Sequence, residues 1–115
     1  MKLLMLLPLI IFLTQCAGSG VRMSRSAQEQ SLAAGLLTQN IRTNISQKEL
    51  SSSPNCSSPV VQRVSLQSSA RGPSGNLMTA REHWYVDSCG RSVIYQVDYY
   101  GPISEHTAID VKPLR

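Results

Sequence analysis

Residues 77–100 contain the clearest strand pattern of the chain and read LMTAREHWYVDSCGRSVIYQVDYY. Apolar and polar residues alternate along both halves of this stretch, and its Val, Tyr and Trp residues favour β-strands. The apolar sides of the two halves are Met78, Ala80, Trp84 and Val86 within residues 77–87, then Val93, Tyr95, Val97 and Tyr99. Asp87-Ser-Cys-Gly90 lies between them, and Gly90 can adopt the positive φ of a tight turn. The stretch therefore predicts an antiparallel hairpin, with Trp84 buried near Val64, Tyr95 or Val97.

Two shorter strand patterns flank this hairpin. Their apolar sides are Val60, Val64 and Leu66 before the hairpin, and Thr107, Ile109 and Val111 after it. Gln62 is the one polar residue on the apolar side of the earlier strand. Four strands joined by short turns predict an antiparallel meander over residues 51–115. A sheet with one apolar face needs a covering layer.

A single amphipathic helix is the expected cover. Ser26-Ala-Gln-Glu29 has the form of a capping box, so a helix is predicted to begin there and to occupy residues 26–50. Its apolar stripe consists of Ala33, Leu36, Leu37, Ile41 and Ile45. Gly35 inside the stripe costs about 1 kcal/mol relative to Ala, so this helix needs a partner surface. We favour packing on the chain's own sheet, which makes the fold class α+β, and docking on another protein is the alternative.

The N-terminal residues 1–15 have the pattern of a secretory signal peptide. Lys2 precedes an uncharged apolar run over residues 3–13. As a helix this run is about 16 Å long, whereas the hydrocarbon core of a bilayer is about 30 Å thick. The run is therefore predicted to be a leader rather than a membrane span.

The residues after the leader resemble the lipobox of bacterial lipoproteins. The motif is Leu13-Thr14-Gln15-Cys16, followed by small residues from Ala17. The resemblance implies that Cys16 is lipidated and becomes the first mature residue. The small and polar composition of the residues after it predicts a flexible tether over residues 16–25. Gln15 departs from the family, which usually has Gly, Ala or Ser there. The alternative is an ordinary signal peptide cut near Gly18 or Gly20.

In either case two cysteines remain in an oxidising compartment, Cys56 and Cys89. Cys56 lies in the Ser- and Pro-rich residues 51–59, which read as a linker. A cysteine in such a segment is best explained by a bond to an ordered part of the chain, so we predict a disulfide between the two. Its loop of about 33 residues would contribute roughly 3 to 4 kcal/mol. A redox pair is disfavoured because there is no C-x-x-C arrangement.

The segment from Glu82 to Gly90 has the form E-x-W-x-V-x-x-C-G and precedes Tyr95-Gln96-Val97. It resembles the C-terminal domain of small lipoproteins and periplasmic proteins of Gram-negative bacteria. With the lipobox and Ala17, the resemblance implies a place on the periplasmic face of the outer membrane. It implies a location and a fold more than an activity.

Several function classes are disfavoured by the composition. The formal net charge of +4 on 115 residues is spread thinly, so no nucleic-acid-binding stripe is present. His83 and His106 are the only histidines, and neither has a second ligand at zinc-site spacing. No G-x-S-x-G elbow or phosphate-binding glycine loop occurs. We predict that the chain is not an enzyme and binds no metal, cofactor or nucleic acid.

Two functions remain open. The first is a structural or accessory component of an envelope protein assembly, such as a secretion-system outer-membrane complex, with Tyr85, Tyr99 and Tyr100 as partner-binding residues. Tyrosine is enriched in protein interfaces. The second is an inhibitor of a cell-wall hydrolase, because Cys89-Gly90-Arg91 is faintly similar to the cysteine-led strand of periplasmic lysozyme inhibitors. That family has a second cysteine after the strand, and this chain has none after Cys89.

Overall fold

A computed structural model describes residues 20–52 and 55–114 of the chain. The described elements are β1 (Arg22–Met23), α1 (Arg25–Gln30), α2 (Leu36–Ser52), β2 (Val60–Arg71), β3 (Leu77–Ser88), β4 (Arg91–Tyr100) and β5 (Ala108–Pro113). The strands form one sheet in the order β1-β2-β3-β4-β5, in which only β1 is parallel to its neighbour. The α+β class is confirmed, with two helices and five strands instead of one helix and about four strands. The predicted signal peptide and Cys16 lie outside the described residues.

The β3–β4 hairpin follows the sequence prediction closely. Its last pair is Ser88 opposite Arg91, and the two turn residues Cys89 and Gly90 have φ values of 53° and 91°. Two positive φ values in a two-residue turn match the right-handed twist of the flanking strands. Trp84 is completely buried, opposite Val64 on β2 and Tyr95 on β4, as predicted.

The prediction for β2 was wrong for Val60. The register skips Gln62, so Val61 rather than Val60 lies on the covered face with Val64. Leu66 lies opposite Glu82 on that same face, but it is 49% exposed. An extra residue in one strand reverses the alternation on either side of it. A further irregularity, between Ala70 and Arg71, skips Met78, which is 45% exposed rather than part of the core.

The helical region is divided where the sequence predicted one helix. Ser24, not Ser26, is the N-cap of α1, and its Oγ accepts a hydrogen bond from the Ala27 amide at 3.1 Å. Gly35 has a φ of +57°, a left-handed conformation that an α-helix does not contain, and α2 starts at the next residue. Leu36 is 52% exposed and lies off the buried stripe.

Helix α2 packs on the chain's own sheet, as favoured above. Its buried residues are Leu37, Ile41, Ile45 and Glu49, spaced by four along one face. These side chains join the core formed by the buried residues of β2, β3 and β4. Within the described residues, no helix has the length and apolar character needed to cross a membrane.

The predicted tether is wrong for its described part, residues 20–25. Val21 is 3% exposed, and Arg22–Met23 pairs with Val60 and Val61 of β2. The Arg42 guanidinium donates to the Val21 carbonyl from Nε at 2.9 Å and from Nη2 at 2.7 Å. This segment is ordered because an apolar side chain and a backbone carbonyl both find partners in the fold.

The predicted disulfide between Cys56 and Cys89 is confirmed. Their Cα atoms are 5.7 Å apart, within the usual range of about 4.4 to 6.8 Å. The bond connects the segment between α2 and β2 to the β3–β4 turn. The described part of the predicted linker, residues 51–52 and 55–59, is more ordered than expected, because α2 continues to Ser52 and Cys56 is 4% exposed.

Candidate binding surface

The two faces of the sheet have different surroundings. Helix α2 and the loop before it cover one face, on which Glu82 and Tyr95 bond to residues of the helical layer. No helix or strand of residues 20–52 and 55–114 covers the opposite face, which we call the open face. Its side chains include Arg63, Ser65, Arg81, His83, Tyr85, Ile94, Gln96, Asp98, Tyr100, Asp110 and Lys112. Strand alternation places these residues together.

One end of the open face is built around Tyr85. Register places Tyr85 between Arg63 of β2 and Ile94 of β4. The Arg63 guanidinium carbon lies 3.8 Å from the centroid of the Tyr85 ring, a cation–π contact. With Gln62 and Ser92, these side chains line a shallow cavity of about 240 Å³. Tyr85 is half-buried, so part of its ring is accessible, and its binding to a partner remains a prediction.

The middle of the open face is a connected polar array. Arg81 Nε donates to Asp98 Oδ1 at 2.7 Å, and Gln96 Nε2 donates to Asp98 Oδ2 at 3.4 Å. His83 Nε2 and Gln96 Oε1 are 3.3 Å apart. The hydrogen bond to Asp98, together with its charge, raises the pKa of Arg81. Gln96 and Asp98 are each only 7% exposed, so their positions are fixed before any partner arrives.

The two adjacent tyrosines at the end of β4 lie on opposite faces. Tyr100 is 51% exposed on the open face, where a partner could reach it. Tyr99 is fully buried on the covered face, and its hydroxyl donates to Glu82 Oε1 at 2.6 Å. The prediction that Tyr99 binds a partner is therefore wrong, because alternation gives it the orientation of Tyr95 and Val97.

Two buried glutamates were missed by the sequence reasoning. Glu82 is completely buried and accepts four hydrogen bonds, from Ser31 Oγ at 3.0 Å, Leu32 N at 2.7 Å, Trp84 Nε1 at 2.9 Å and Tyr99 OH at 2.6 Å. Burial raises the pKa of Tyr99 well above its ordinary value of 10.0, and the Glu82 charge raises it further. Glu82 could have been found, since it alternates in phase with Ala80 and Trp84.

The second glutamate, Glu49, is 2% exposed near the end of α2. It accepts hydrogen bonds from Ser88 Oγ at 2.6 Å, from Arg91 Nη2 at 3.1 Å and from the Tyr95 hydroxyl. Burial, and then this hydrogen bond, raise the pKa of Tyr95. The burial of Glu49 could have been predicted, because it follows Ile45 by four residues and continues the apolar stripe of the helix. Both carboxylates fasten the helical layer to the sheet.

A second concavity, of about 510 Å³, lies between α2 and the segments around Val21 and Cys56. Arg42, Glu49 and Leu50 are among its lining residues. It lies where the chain enters the described fold, at Gly20. Arg42 and Glu49 already have hydrogen-bond partners, so this groove has no orphaned polar group that points to a ligand.

No metal-binding cluster is seen in the part of the chain that the structure describes. No group of three or more His, Cys, Asp or Glu residues there is placed to hold a metal ion. His83 belongs to the polar array of the open face, and His106 lies in the exposed turn before β5. That the protein is not an enzyme remains a prediction.

Comparisons with protein-family models, with curated proteins and with solved structures gave no match to this chain. The open face and the N-terminal sequence are therefore the features that bear on function.

Proposed function

We propose that the protein is a lipid-anchored lipoprotein of the periplasmic face of the outer membrane, and that its open face binds another envelope protein within a larger assembly, such as a secretion-system outer-membrane complex. The observation that carries this proposal is a sheet face with ordered aromatic and polar side chains and no covering element among the described residues. The leader and Cys16 supply the location.

The open face has the composition of a protein interface. Tyrosine and arginine are the residues that most often dominate binding energy at interfaces, and here Arg63 is stacked on Tyr85. Groups that are already held in position lose less conformational entropy on binding. Arg81, Gln96 and Asp98 are held by their mutual hydrogen bonds. The face can therefore act as a rigid recognition surface.

The position of the anchor constrains the partner. Gly20 is the first described residue, and Cys16 precedes it by four residues. Four residues span at most about 14 Å when fully extended. A lipidated Cys16 would hold the domain close to the bilayer, so its partner must present a surface at that same depth. A membrane-associated assembly satisfies this condition.

Photo-crosslinking from single positions tests the open face. A photoreactive residue at Tyr85 or at Ile94 should capture the same envelope protein in cells. The matched control is Thr43, an exposed residue of α2 on the helical side, and it should capture little of that protein. A cell-wall hydrolase captured from Tyr85 and Ile94 would support the inhibitor function instead. Equal capture from Thr43 would contradict the proposed surface.

The anchor has a separate test. Cys16→Ser should move the protein from the membrane fraction to the soluble periplasmic fraction and remove the acyl mass from the mature chain. Ser19→Ala is the matched control and should leave both unchanged. Unchanged fractionation and an unmodified mature mass for the wild-type chain would contradict lipidation without affecting the crosslinking result.

A further inference from the structure

The chain enters the described fold at one end of the sheet. At this end β2 begins, β3 ends and the disulfide joins the β3–β4 turn to the segment before β2. The last turns of α2 reach the same place, because Glu49 accepts a hydrogen bond from Ser88. The entering chain is held there by the Arg22 amide, which donates to the Pro59 carbonyl at 2.8 Å. We call this part of the molecule the anchor end, and it comprises residues 20–22, 46–52, 55–60 and 87–92.

The anchor end exposes an apolar side chain among basic ones. Leu50 is 58% exposed and lines the groove of about 510 Å³ together with Gly20. Arg22 is exposed, the side chain of Arg91 is 47% exposed, and Lys48 is half-buried. Exposed leucine combined with Arg and Lys is typical of protein surfaces that lie in the interface of a bilayer.

The exposed negative charge lies away from the anchor end. Two acidic residues belong to the anchor end. Glu49 is 2% exposed, and Asp87 accepts a hydrogen bond from the Gly90 amide at 2.8 Å. Glu105 and Asp110 are exposed at the opposite end of the sheet, near the connection from β4 to β5. The anchor end therefore presents a positive surface, which complements anionic lipid headgroups.

We infer that the anchor end contacts the bilayer surface, with Leu50 at the level of the lipid headgroups and Arg22 and Arg91 directed to their phosphates. The inference rests on the proposed lipidation of Cys16. Four extended residues span at most about 14 Å, so a lipid on Cys16 brings the anchor end, where Gly20 lies, closest to the membrane. Tethering at such a short distance gives even a weak contact a high effective concentration.

This contact would fix the orientation of the whole domain. β3 runs from the opposite end of the sheet to the anchor end over twelve residues, a length of about 40 Å. With the anchor end on the bilayer, the strands lead away from the membrane and the open face points along the membrane plane. The open face is then directed toward proteins that stand beside the domain in the same membrane.

Fluorescence quenching by lipids tests the contact. Leu50→Cys carries a fluorophore in the purified, processed chain, which is inserted into vesicles of phosphatidylethanolamine and phosphatidylglycerol. Lipids with a nitroxide on the headgroup should remove most of its fluorescence. Glu105→Cys with the same fluorophore is the matched control, since this residue is also exposed but lies at the opposite end, and it should lose none.

The basic side chains have a test of their own. Arg22→Glu should reduce the quenching of the fluorophore at position 50, because it places a negative charge against the anionic headgroups. Arg71→Glu is the matched control at the opposite end, where Arg71 is exposed, and it should leave the quenching unchanged. Equal quenching in the two variants would overturn the electrostatic contact.

The mass of the same purified chain separates the two proposals. An acylated chain whose fluorophore is quenched no more at position 50 than at position 105 would overturn this inference and leave the proposed function intact. A chain that lacks the acyl mass and does not bind the vesicles would overturn both.

Discussion

Glu82 and Glu49 are two buried carboxylates that both connect the helical layer to the sheet, but their hydrogen-bond partners differ. Glu82 holds the loop between α1 and α2 and accepts from four donors, none of which carries a positive charge. Glu49 holds the last turns of α2 and has the Arg91 guanidinium among its partners, with that side chain 47% exposed. One carboxylate is therefore entirely enclosed, whereas the other has a cation that reaches solvent.

The two glutamate sites also differ in whether a covalent crosslink lies beside them. Ser88 and Arg91, which contact Glu49, flank the turn that contains Cys89, so the disulfide fastens the same region covalently. No such crosslink supports the Glu82 site. A polar attachment is more critical where no covalent crosslink supports it. The stability of the helical layer should therefore depend more on Glu82 than on Glu49.

The largest effect is expected at Trp84, which fills the core beside Glu82 and also donates to it. Trp84→Ala should lower the free energy of unfolding by about 3 to 5 kcal/mol, through loss of buried apolar area and a residual cavity. Trp84→Phe keeps much of that area but removes the donor, and should cost clearly less. Urea unfolding followed by circular dichroism measures both. Equal stability of Trp84→Ala and the wild type would contradict its role in the core.

Removal of the disulfide should make the stability of the fold depend more strongly on Glu49, but not on Glu82. Cys56→Ala combined with Cys89→Ala should cost about 3 to 4 kcal/mol, since the crosslink restricts the unfolded chain. In that background Glu49→Ala should cost more than it does when the disulfide is present, whereas the cost of Glu82→Ala should not change. A double-mutant cycle gives these two coupling energies. Equal coupling of both glutamates to the disulfide would refute the difference between the two ends.

The two glutamates can be compared directly in the native background. Glu82→Ala should cost about 3 kcal/mol, because it leaves buried donors without an acceptor. Glu49→Ala should cost about 2 kcal/mol, because the partly exposed Arg91 can turn to water. Glu82→Gln and Glu49→Gln keep the shape of each side chain and separate loss of charge from loss of volume. Chemical denaturation ranks the four variants, and a larger loss for Glu49→Ala would reverse the conclusion.

The smallest effect is a dependence of stability on alkaline pH. The folded-state pKa of Tyr99 is raised above the value of 10.0 expected when the chain unfolds. The stabilisation of the folded state by the neutral Tyr99 hydroxyl is therefore fully present below pH 10. It is lost as the pH rises further, at up to about 1.4 kcal/mol per pH unit. Tyr99→Phe should reduce this slope, and Tyr95→Phe should do the same at the Glu49 end. Unfolding curves between pH 9 and pH 11.5 measure it, and an unchanged slope in both variants would exclude these hydroxyls as its source.

Some of the candidate binding surface could be predicted from the sequence. Alternation along residues 77–100 placed Tyr85 and Tyr100 on the face opposite Trp84, and both are accessible there. The same alternation placed Tyr99 inside, so its choice as a binding residue contradicted the pattern that defined the strand. The sequence did not indicate Arg63 as a residue of this surface, because its contact with Tyr85 depends on how β2 is paired to β3.

Features that depend on neighbouring residues could be predicted from the sequence alone. The β3–β4 hairpin, the turn at Gly90 and the apolar stripe of α2 follow from residue type and spacing, and a cysteine in a Ser- and Pro-rich segment indicated a bond to Cys89. Such patterns act over a few residues and need no knowledge of what lies across the core.

Features whose partners are distant in the chain arise only when the chain is folded. β1 exists because residues 22–23 lie beside the start of β2, and the bulge at Gln62 is defined by its register with β3. Ser31 reaches Glu82 across 51 positions, and Ser88 reaches Glu49 across 39. A glutamate on an apolar face is stable only when the fold brings it enough donors. The sequence showed where these carboxylates point, and the assembled layers supplied the donors that allow them to be buried.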